Sequence, residues 1–336
     1  MYFLGYDVGG TKIEAALFSQ GKHEKALSTL ETQTLKGGFA EISLLAKLRV
    51  PTERHLGYEQ IIAKMSHLAS TLCGEFGVHP ANLLSVGLGV PGSIEPQTQV
   101  YLNGSAFALK GKSVGKDLAA ALGISAPVLC ENDANCFALA EALGGAGVEY
   151  SKIFQRPLSE QVSVGIILGT GVGGGFVVRG KLLSGVRGGA AEIGHSVLYP
   201  NGLACYCGRS GCAEMYLGGP ALEASFAQRR YSQIDSPGSA LDIFRLAHSY
   251  EPASIAVLHE YKRNLARFMG NLATFLDPDY FVLGGGLSLQ ESIYSGLSEE
   301  VAKNAFISEA LIPIYQHRLG DSSGVVGAAL LGLSAV

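Results

Sequence analysis

The chain has 336 residues, 47% of them apolar and 16% charged, with a net charge of −4. That length carries two cores, and the composition excludes a disordered chain. Scattered lysines and arginines argue against nucleic acid as a partner, no apolar run reaches the roughly 18–20 residues of a membrane span, and residues 1–7 lack a signal peptide's basic start, so a cytoplasmic protein is expected.

Tyr2–Asp7 and Ile13–Phe18 read as strands around the turn Gly9-Gly10-Thr11, and the pattern repeats at Val162–Leu168, Gly169–Gly175 and Phe176–Val178. Such self-similarity predicts two related halves. Tyr58–Phe76 carries Ile61, Ile62, Met65, Leu68 and Leu72 at helical spacing. Strand Leu84–Val90 ends in Pro91-Gly92-Ser93, and strand Pro127–Cys130 leads through Asn132-Asp133 into a helix over Ala134–Leu143. Ser151–Glu160 reads as a polar loop. A helix over Ala253–Phe275, a strand Tyr280–Leu283 ending in Gly284-Gly285-Gly286, and a helix Gly324–Leu333 capped from Asp321-Ser322-Ser323 complete the pattern. Strands alternating with helices predict an α/β protein.

His195, Cys205, Cys207 and Cys212 have ligand types and spacing suited to a closed, structural Zn²⁺ site, with a chance disulfide or buried thiols as the alternative. Glu192 and Glu214 flank that cluster, so a metal there would clamp two carboxylates. Cys73, Cys130 and Cys136 stand apart among apolar residues, as reduced thiols do. Asp7-Val8-Gly9-Gly10-Thr11-Lys12 can wrap a phosphate in backbone N–H groups, with Asp7 placed to orient a hydrated Mg²⁺.

Gly169-Thr170-Gly171-Val172-Gly173-Gly174 formally matches a dinucleotide fingerprint, but a strand follows where that motif requires a helix. Gly111-Lys112-Ser113 lacks the upstream glycine of a P-loop, since that position is Ala106. In Glu131-Asn132-Asp133-Ala134-Asn135, Asp133 could merely cap a helix. Its place at the carboxyl end of a strand, in a chain with phosphate loops, favours a general base.

D-V-G-G-T-K, G-L-G-V-P-G-S, E-N-D-A-N, G-T-G-V-G-G-G, A-E-I-G-H, C-Y-C-G-R-S-G-C-A-E and G-G-G-L-S occur in this order over nearly the whole chain. Together they resemble the ROK family of sugar kinases and repressors within the actin-like ATPase superfamily. The resemblance implies a two-lobed, ribonuclease H-like fold of duplicated mixed sheets flanked by helices, with a zinc-binding loop. It places ATP phosphates at Gly9, Gly10, Thr11, Lys12, Gly169, Thr170 and Gly171, and adenosine near Gly284 and Gly285. The sugar would meet Asn132, Asp133, Glu192, His195 and Glu214, helped by Gly92, Ser93 and Asn103. His195 would ligate zinc through one ring nitrogen and offer the other to a sugar hydroxyl.

The implied reaction is ATP- and Mg²⁺-dependent phosphorylation of the 6-hydroxyl of a hexose or N-acetylhexosamine, with Asp133 as base, in a homodimer. The expected lobes are 1–118 plus 319–336, and 119–318. The chain starts directly at the first phosphate strand, which favours the kinase branch over repressors carrying an N-terminal DNA-binding segment. Tyr101–Phe107, at the place of the sugar loop, lacks the Asn-x-x-x-Trp of glucose-type members, and the chain has no tryptophan. A sugar sensor without turnover is expected to lose Asp133 or the first phosphate loop, and both are present. An actin- or chaperone-like ATPase has no use for Glu192 and Glu214, whereas polyphosphate stays open as an alternative donor.

Overall fold

The computed structural model describes residues 1–33, 39–104, 106–229, 239–307 and 311–334. Strands β1 (Tyr2–Val8), β2 (Lys12–Gln20), β3 (Ser28–Gln33) and β4 (Phe39–Pro51) come first. Helix α1 (Tyr58–Glu75) leads to β5 (Leu83–Val90), the short β6 (Ser93–Ile94) and β7 (Tyr101–Asn103), and α2 (Val114–Leu122). Next come β8 (Val128–Asn132), α3 (Asp133–Gly144) and α4 (Ala146–Phe154), then β9 (Val162–Leu168), β10 (Val172–Val178) and β11 (Lys181–Leu182). The remainder is α5 (Glu214–Leu217), α6 (Gly219–Arg229), α7 (Ala240–His248), α8 (Pro252–Leu276), β12 (Tyr280–Gly284), α9 (Leu297–Asn304), β13 (Ile314–Gln316) and α10 (Ser323–Ser334).

Two compact units result: Met1–Gln161 with Gly175–Ala191 and Arg318–Val336, and Val162–Gly174 with Glu192–His317. The sequence-based boundary at 118/119 is therefore corrected. Residues 119–161 join the first unit because β8 hydrogen-bonds β5 and α3 packs on α10, a contact made far along the chain.

In the first unit the strand order is β3-β4-β2-β1-β5-β8, with β1, β5 and β8 parallel and the other pairings antiparallel. Alternation along β1 sends Leu4, Tyr6 and Val8 into a core with Ile61, Met65 and Leu68 of α1, and Phe3 into a second core with Leu139 of α3 and Val325 of α10. Asp7 shares the face of Phe3. Helix α10 lies directly on the sheet because Gly87 has no side chain: a Cβ there would stand 1.7 Å from the Ala328 carbonyl oxygen. The carboxyl ends of β1, β5 and β8 thus gather Asp7, Gly92 and Asn132-Asp133.

In the second unit β9, β12 and β13 are parallel, and Val164, Ile166, Phe281 and Leu283 on them are buried. Helix α8 carries the buried Leu265, Phe268 and Met269. Among the described residues no helix is long and apolar enough to cross a membrane.

Several local expectations are corrected. Ser151–Glu160 is the end of α4 followed by a short 3-10 turn at Leu158–Glu160 rather than a loop, with the Ser151 hydroxyl donating to Gln33. The second glycine turn is only Gly169–Gly171, because Val172–Gly175 already belong to β10. Asp321 and Ser322 lie in a 3-10 turn, Gly320–Ser322, and α10 begins at Ser323.

Candidate active site

The first phosphate turn is held from below. Gly9 N–H donates to the Lys12 carbonyl (2.9 Å), while the buried Thr52 donates its N–H to the Thr11 carbonyl (2.9 Å) and its hydroxyl to the Gly9 carbonyl (2.7 Å). The turn's carbonyls are thereby spent within the fold. Arg54, two residues on, brings a guanidinium nitrogen 3.8 Å from where a Gly10 Cβ would be. The sequence reading missed this cation because it belongs to another strand's end.

Asp7 stands opposite Glu14 in the β1–β2 register, and Glu14 is in turn ion-paired with Arg49. Burial lifts the Asp7 carboxyl above its ordinary value; Glu14 adds to the rise, and Lys12 and Arg49 oppose it. A carboxylate held this way gains from a divalent cation that offsets its desolvation. The residues present suit the Mg²⁺ role assigned to it.

Asn132, not Asp133, caps α3: its side-chain oxygen accepts from the N–H groups of Ala134 (2.9 Å) and Asn135 (3.2 Å). The Asn132 amide also donates to the Gly92 carbonyl (3.1 Å), joining the helix to the sugar turn. Asp133 is the first helical residue and accepts from Ala134 N–H at 2.8 Å. The N-cap position of α3 thus belongs to Asn132.

Gly92, Ser93 and Asn103 meet where β6 pairs with β7. Gly92 has φ 137°, and a Cβ there would lie 2.2 Å from the Asn103 carbonyl oxygen, so only glycine permits this closure. Tyr101 fixes the turn by donating to the Pro91 carbonyl (2.6 Å). Its phenol is raised chiefly by burial, with Asp133's charge adding to the rise, which sets that carboxylate near this turn. Ser105 of the same loop lies outside the described residues. Glu131, quoted in the motif but given no role, accepts from Asn132 N–H (2.9 Å), the Asn135 amide (3.0 Å) and the Ser184 hydroxyl (2.6 Å).

In the second unit the ligand atoms of His195, Cys205, Cys207 and Cys212 all lie within 4.8 Å of one another. Cys207 Sγ and Cys212 Sγ are 3.6 Å apart, and His195 Nδ1 is 3.7 Å from Cys205 Sγ. A tetrahedron with Zn–S bonds near 2.3 Å has edges of about 3.8 Å, so the cluster fits zinc, with its three cysteines unbonded to one another. Hydrogen bonds from the Arg209 N–H and guanidinium pull the Cys207 thiol down to about 6, while burial pushes Cys212 up. His195 turns Nδ1 toward the sulfurs, and its Nε2 faces the Tyr206 hydroxyl at 3.2 Å. Tyr206 was invisible as a site residue because it looked like a spacer between two cysteines. Burial first, then the nearby Glu214 carboxylate, raises its phenol.

Glu192 and Glu214 begin the turns on either side of the cluster. Glu214 Oε2 accepts from Val172 N–H at 2.9 Å, beside the second phosphate turn. That turn is also held by Gly219 N–H, which donates to the Gly169 carbonyl (2.8 Å). Gly284 ends β12, and Gly285 follows against the Leu168 carbonyl, at the root of the same turn, so Gly169–Gly171 and the two expected adenosine glycines are neighbours. A separate cavity of about 680 Å³ opens beside Tyr216, Ser225, Arg229 and Tyr261, and it is lined by none of the expected site residues.

The ROK family model matches residues 3–334. An N-acetyl-D-glucosamine kinase of Aliivibrio salmonicida (strain LFI1238) is 34% identical over 345 aligned positions, covering 99% of this chain and 100% of that protein. A ROK hexokinase structure from Thermus thermophilus is similar with a TM-score of 0.77, 31% identity and full coverage of both chains. A ROK glucokinase from Streptomyces griseus, in complex with glucose and AMPPNP, is similar with a TM-score of 0.70, 25% identity and coverage of 99% and 100%. With a match across essentially its whole length, and with mixed sheets flanked by helices in the manner of those kinases, the chain belongs to the ROK family.

Proposed function

We propose that this protein is an ATP-dependent sugar kinase that phosphorylates the 6-hydroxyl of a hexose or N-acetylhexosamine, with Asp133 as general base. The observation that carries the assignment is the transfer of the capping duty to Asn132. It leaves the Asp133 carboxylate as the first residue of α3, at the carboxyl end of β8 and near the Gly92–Asn103 turn. The N-acetyl-D-glucosamine kinases at 34% identity support a hexosamine as the first substrate to test.

In this reading Asn132, Asp133, Gly92, Ser93, Asn103, Glu192 and Glu214 hold sugar hydroxyls, and His195 offers Nε2 to one in exchange for Tyr206. Each hydroxyl that finds a partner favours the right epimer, and a wrong one leaves buried groups unpaired. Asp133 accepts the 6-hydroxyl proton as that oxygen attacks the γ-phosphorus in line. The amides of Gly9–Thr11 and Gly169–Gly171 line the phosphates, and Arg54 and Lys12 add positive charge near the first turn. Mg²⁺, held through its hydration shell by Asp7, would supply charge neutralisation on the phosphoryl oxygens. Zn²⁺ on His195, Cys205, Cys207 and Cys212 would be structural, fixing Glu192 and Glu214. A cytoplasmic homodimer completes the reading, its stoichiometry measurable by sedimentation.

The test is coupled ADP release with glucose, fructose, mannose, N-acetylglucosamine and N-acetylmannosamine, with polyphosphate as alternative donor. Asp133→Asn is expected to bind sugar and ATP normally while kcat falls at least about 10²-fold. Wild-type kcat in that variant would end the role of Asp133. Binding of sugars with no turnover by the unaltered protein would return a sensor.

A further inference from the structure

The Glu214 carboxylate is tied to more than the sugar side of the site. Its Oε2 accepts the N–H of Val172, the residue that follows the Gly169–Gly171 turn and opens β10, at 2.9 Å. The approach is tight: a methyl group on Gly171 would stand 2.5 Å from the same oxygen. Val172 itself is buried, and its N–H takes Glu214 as partner in a part-buried bond. Glu214 itself is fixed at the head of α5, four and five residues before Gly218 and Gly219, which bear on Thr170 and Gly169. On its other side stands Tyr206, which reaches His195 Nε2.

We propose that Glu214 is a positioning residue for the second phosphate turn as well as a sugar contact, so that sugar and nucleotide affinities are coupled through one carboxylate. The proposal rests on the sugar-kinase reading above. A carboxylate has four lone-pair sites, so Oε1 can accept a sugar hydroxyl while Oε2 keeps Val172. A sugar that draws on Glu214 therefore acts on the Gly169–Gly171 backbone, and by linkage a bound phosphate chain acts equally on the sugar. Without sugar, the turn keeps its single anchor but lacks the second constraint on the carboxylate, which lowers affinity for the phosphate chain.

The experiment measures the dissociation constant of a non-hydrolysable ATP analogue by calorimetry, with and without N-acetylglucosamine, and hydrogen exchange across 169–175 in the ligand-free protein. Zinc content and the unfolding midpoint serve as controls. Sugar is expected to tighten analogue binding about fivefold or more in the unaltered protein, at the lower end of ordinary coupling. In Glu214→Ala that ratio should fall to about one, exchange across 169–175 should quicken, and sugar affinity should drop.

In Glu214→Gln the amide oxygen can still accept from Val172. Exchange and analogue affinity without sugar should then hold while sugar affinity falls. Val172→Pro deletes the donor at the first position of a strand, where proline is tolerated. It should abolish the coupling with sugar affinity retained, and it decides the matter if the alanine variant fails to fold. Unchanged exchange in Glu214→Ala, or full coupling in Val172→Pro, would overturn the positioning role even if sugar binding is lost. Wild-type sugar affinity in both Glu214 variants would instead remove Glu214 from the proposed sugar site, whatever the turn does.

Discussion

Glu141 offers the sharpest test of how the first unit is held together. It is fully buried in α3, yet its two oxygens are well supplied. They accept from Arg318 N–H (3.0 Å), Leu319 N–H (2.9 Å), Ala146 N–H (3.1 Å) and the Ser323 hydroxyl (3.3 Å). One carboxylate thus receives the chain as it enters the first unit at Arg318 and starts the turn into α10. Glu141→Ala strands three backbone N–H groups, that of Ala146 buried and those of Arg318 and Leu319 half-buried; Ser323 keeps its bond to Gly320. At about 1–3 kcal/mol for each orphaned group, partly relieved if water enters the new space, the loss should be about 3–6 kcal/mol. That is a large share of the 5–15 kcal/mol typical of a domain.

The exposed Arg318–Glu149 pair nearby offers little compensation, since such pairs are worth at most about 1 kcal/mol. Urea unfolding followed by circular dichroism, read on the transition that includes the first unit, measures the effect, with Glu149→Gln as the control expected to change stability by less than about 1 kcal/mol. If Glu141→Ala lies within about 1 kcal/mol of wild type, the reasoning about orphaned amides at this joint is wrong.

Two further outcomes follow from the site. Cys207→Ala should lose the zinc, read as one equivalent per chain by metal analysis of the unaltered protein, together with stability and activity, because binding and local folding are linked; zinc-free wild-type protein with full activity would contradict it. Replacing Gly10 by valine should raise KM for ATP well above any change in KM for sugar, since a β-branched side chain would stand in the phosphate turn beside Arg54; equal changes in both would indicate general misfolding instead.

The parts of the molecule legible in the sequence are those whose chemistry is local. The glycine turns, the zinc spacing and the strand-to-helix step at Asn132-Asp133 all announce themselves within a dozen residues. What stayed hidden depends on partners far along the chain. Strand β4 carries apolar residues at Ile42, Leu44, Ala46, Leu48 and Val50, a spacing of two that would put all five on one face, with Leu45 as the one apolar residue out of step between them. A bulge opposite Leu17/Phe18 instead sends Ile42 and Leu44 to the α3–α10 side and Ala46, Leu48 and Val50 to the α1 side. The boundary of the first unit was missed for a related reason: only the packing of α10 on α3 shows where α3 belongs. Tyr206 and Arg54 lacked any local signal, since one sits between two metal ligands and the other trails a strand end.

Helix α3 is buried along its whole length, from Ala134 to Gly144, and Asp133 heads it. In the proposed reading the base is therefore mounted on a buried helix, which resists following a sugar of different shape. The β6–β7 hairpin is the opposite: Leu102, Asn103 and Phe107 are exposed, and it is fastened near its root by the Asn132–Gly92 and Tyr101–Pro91 bonds. With the sugar site as proposed, sequence change in that hairpin is expected to alter which sugar is accepted while leaving the chemical step untouched. A library confined to residues 102, 103 and 107 would be the economical route to a kinase with a new substrate.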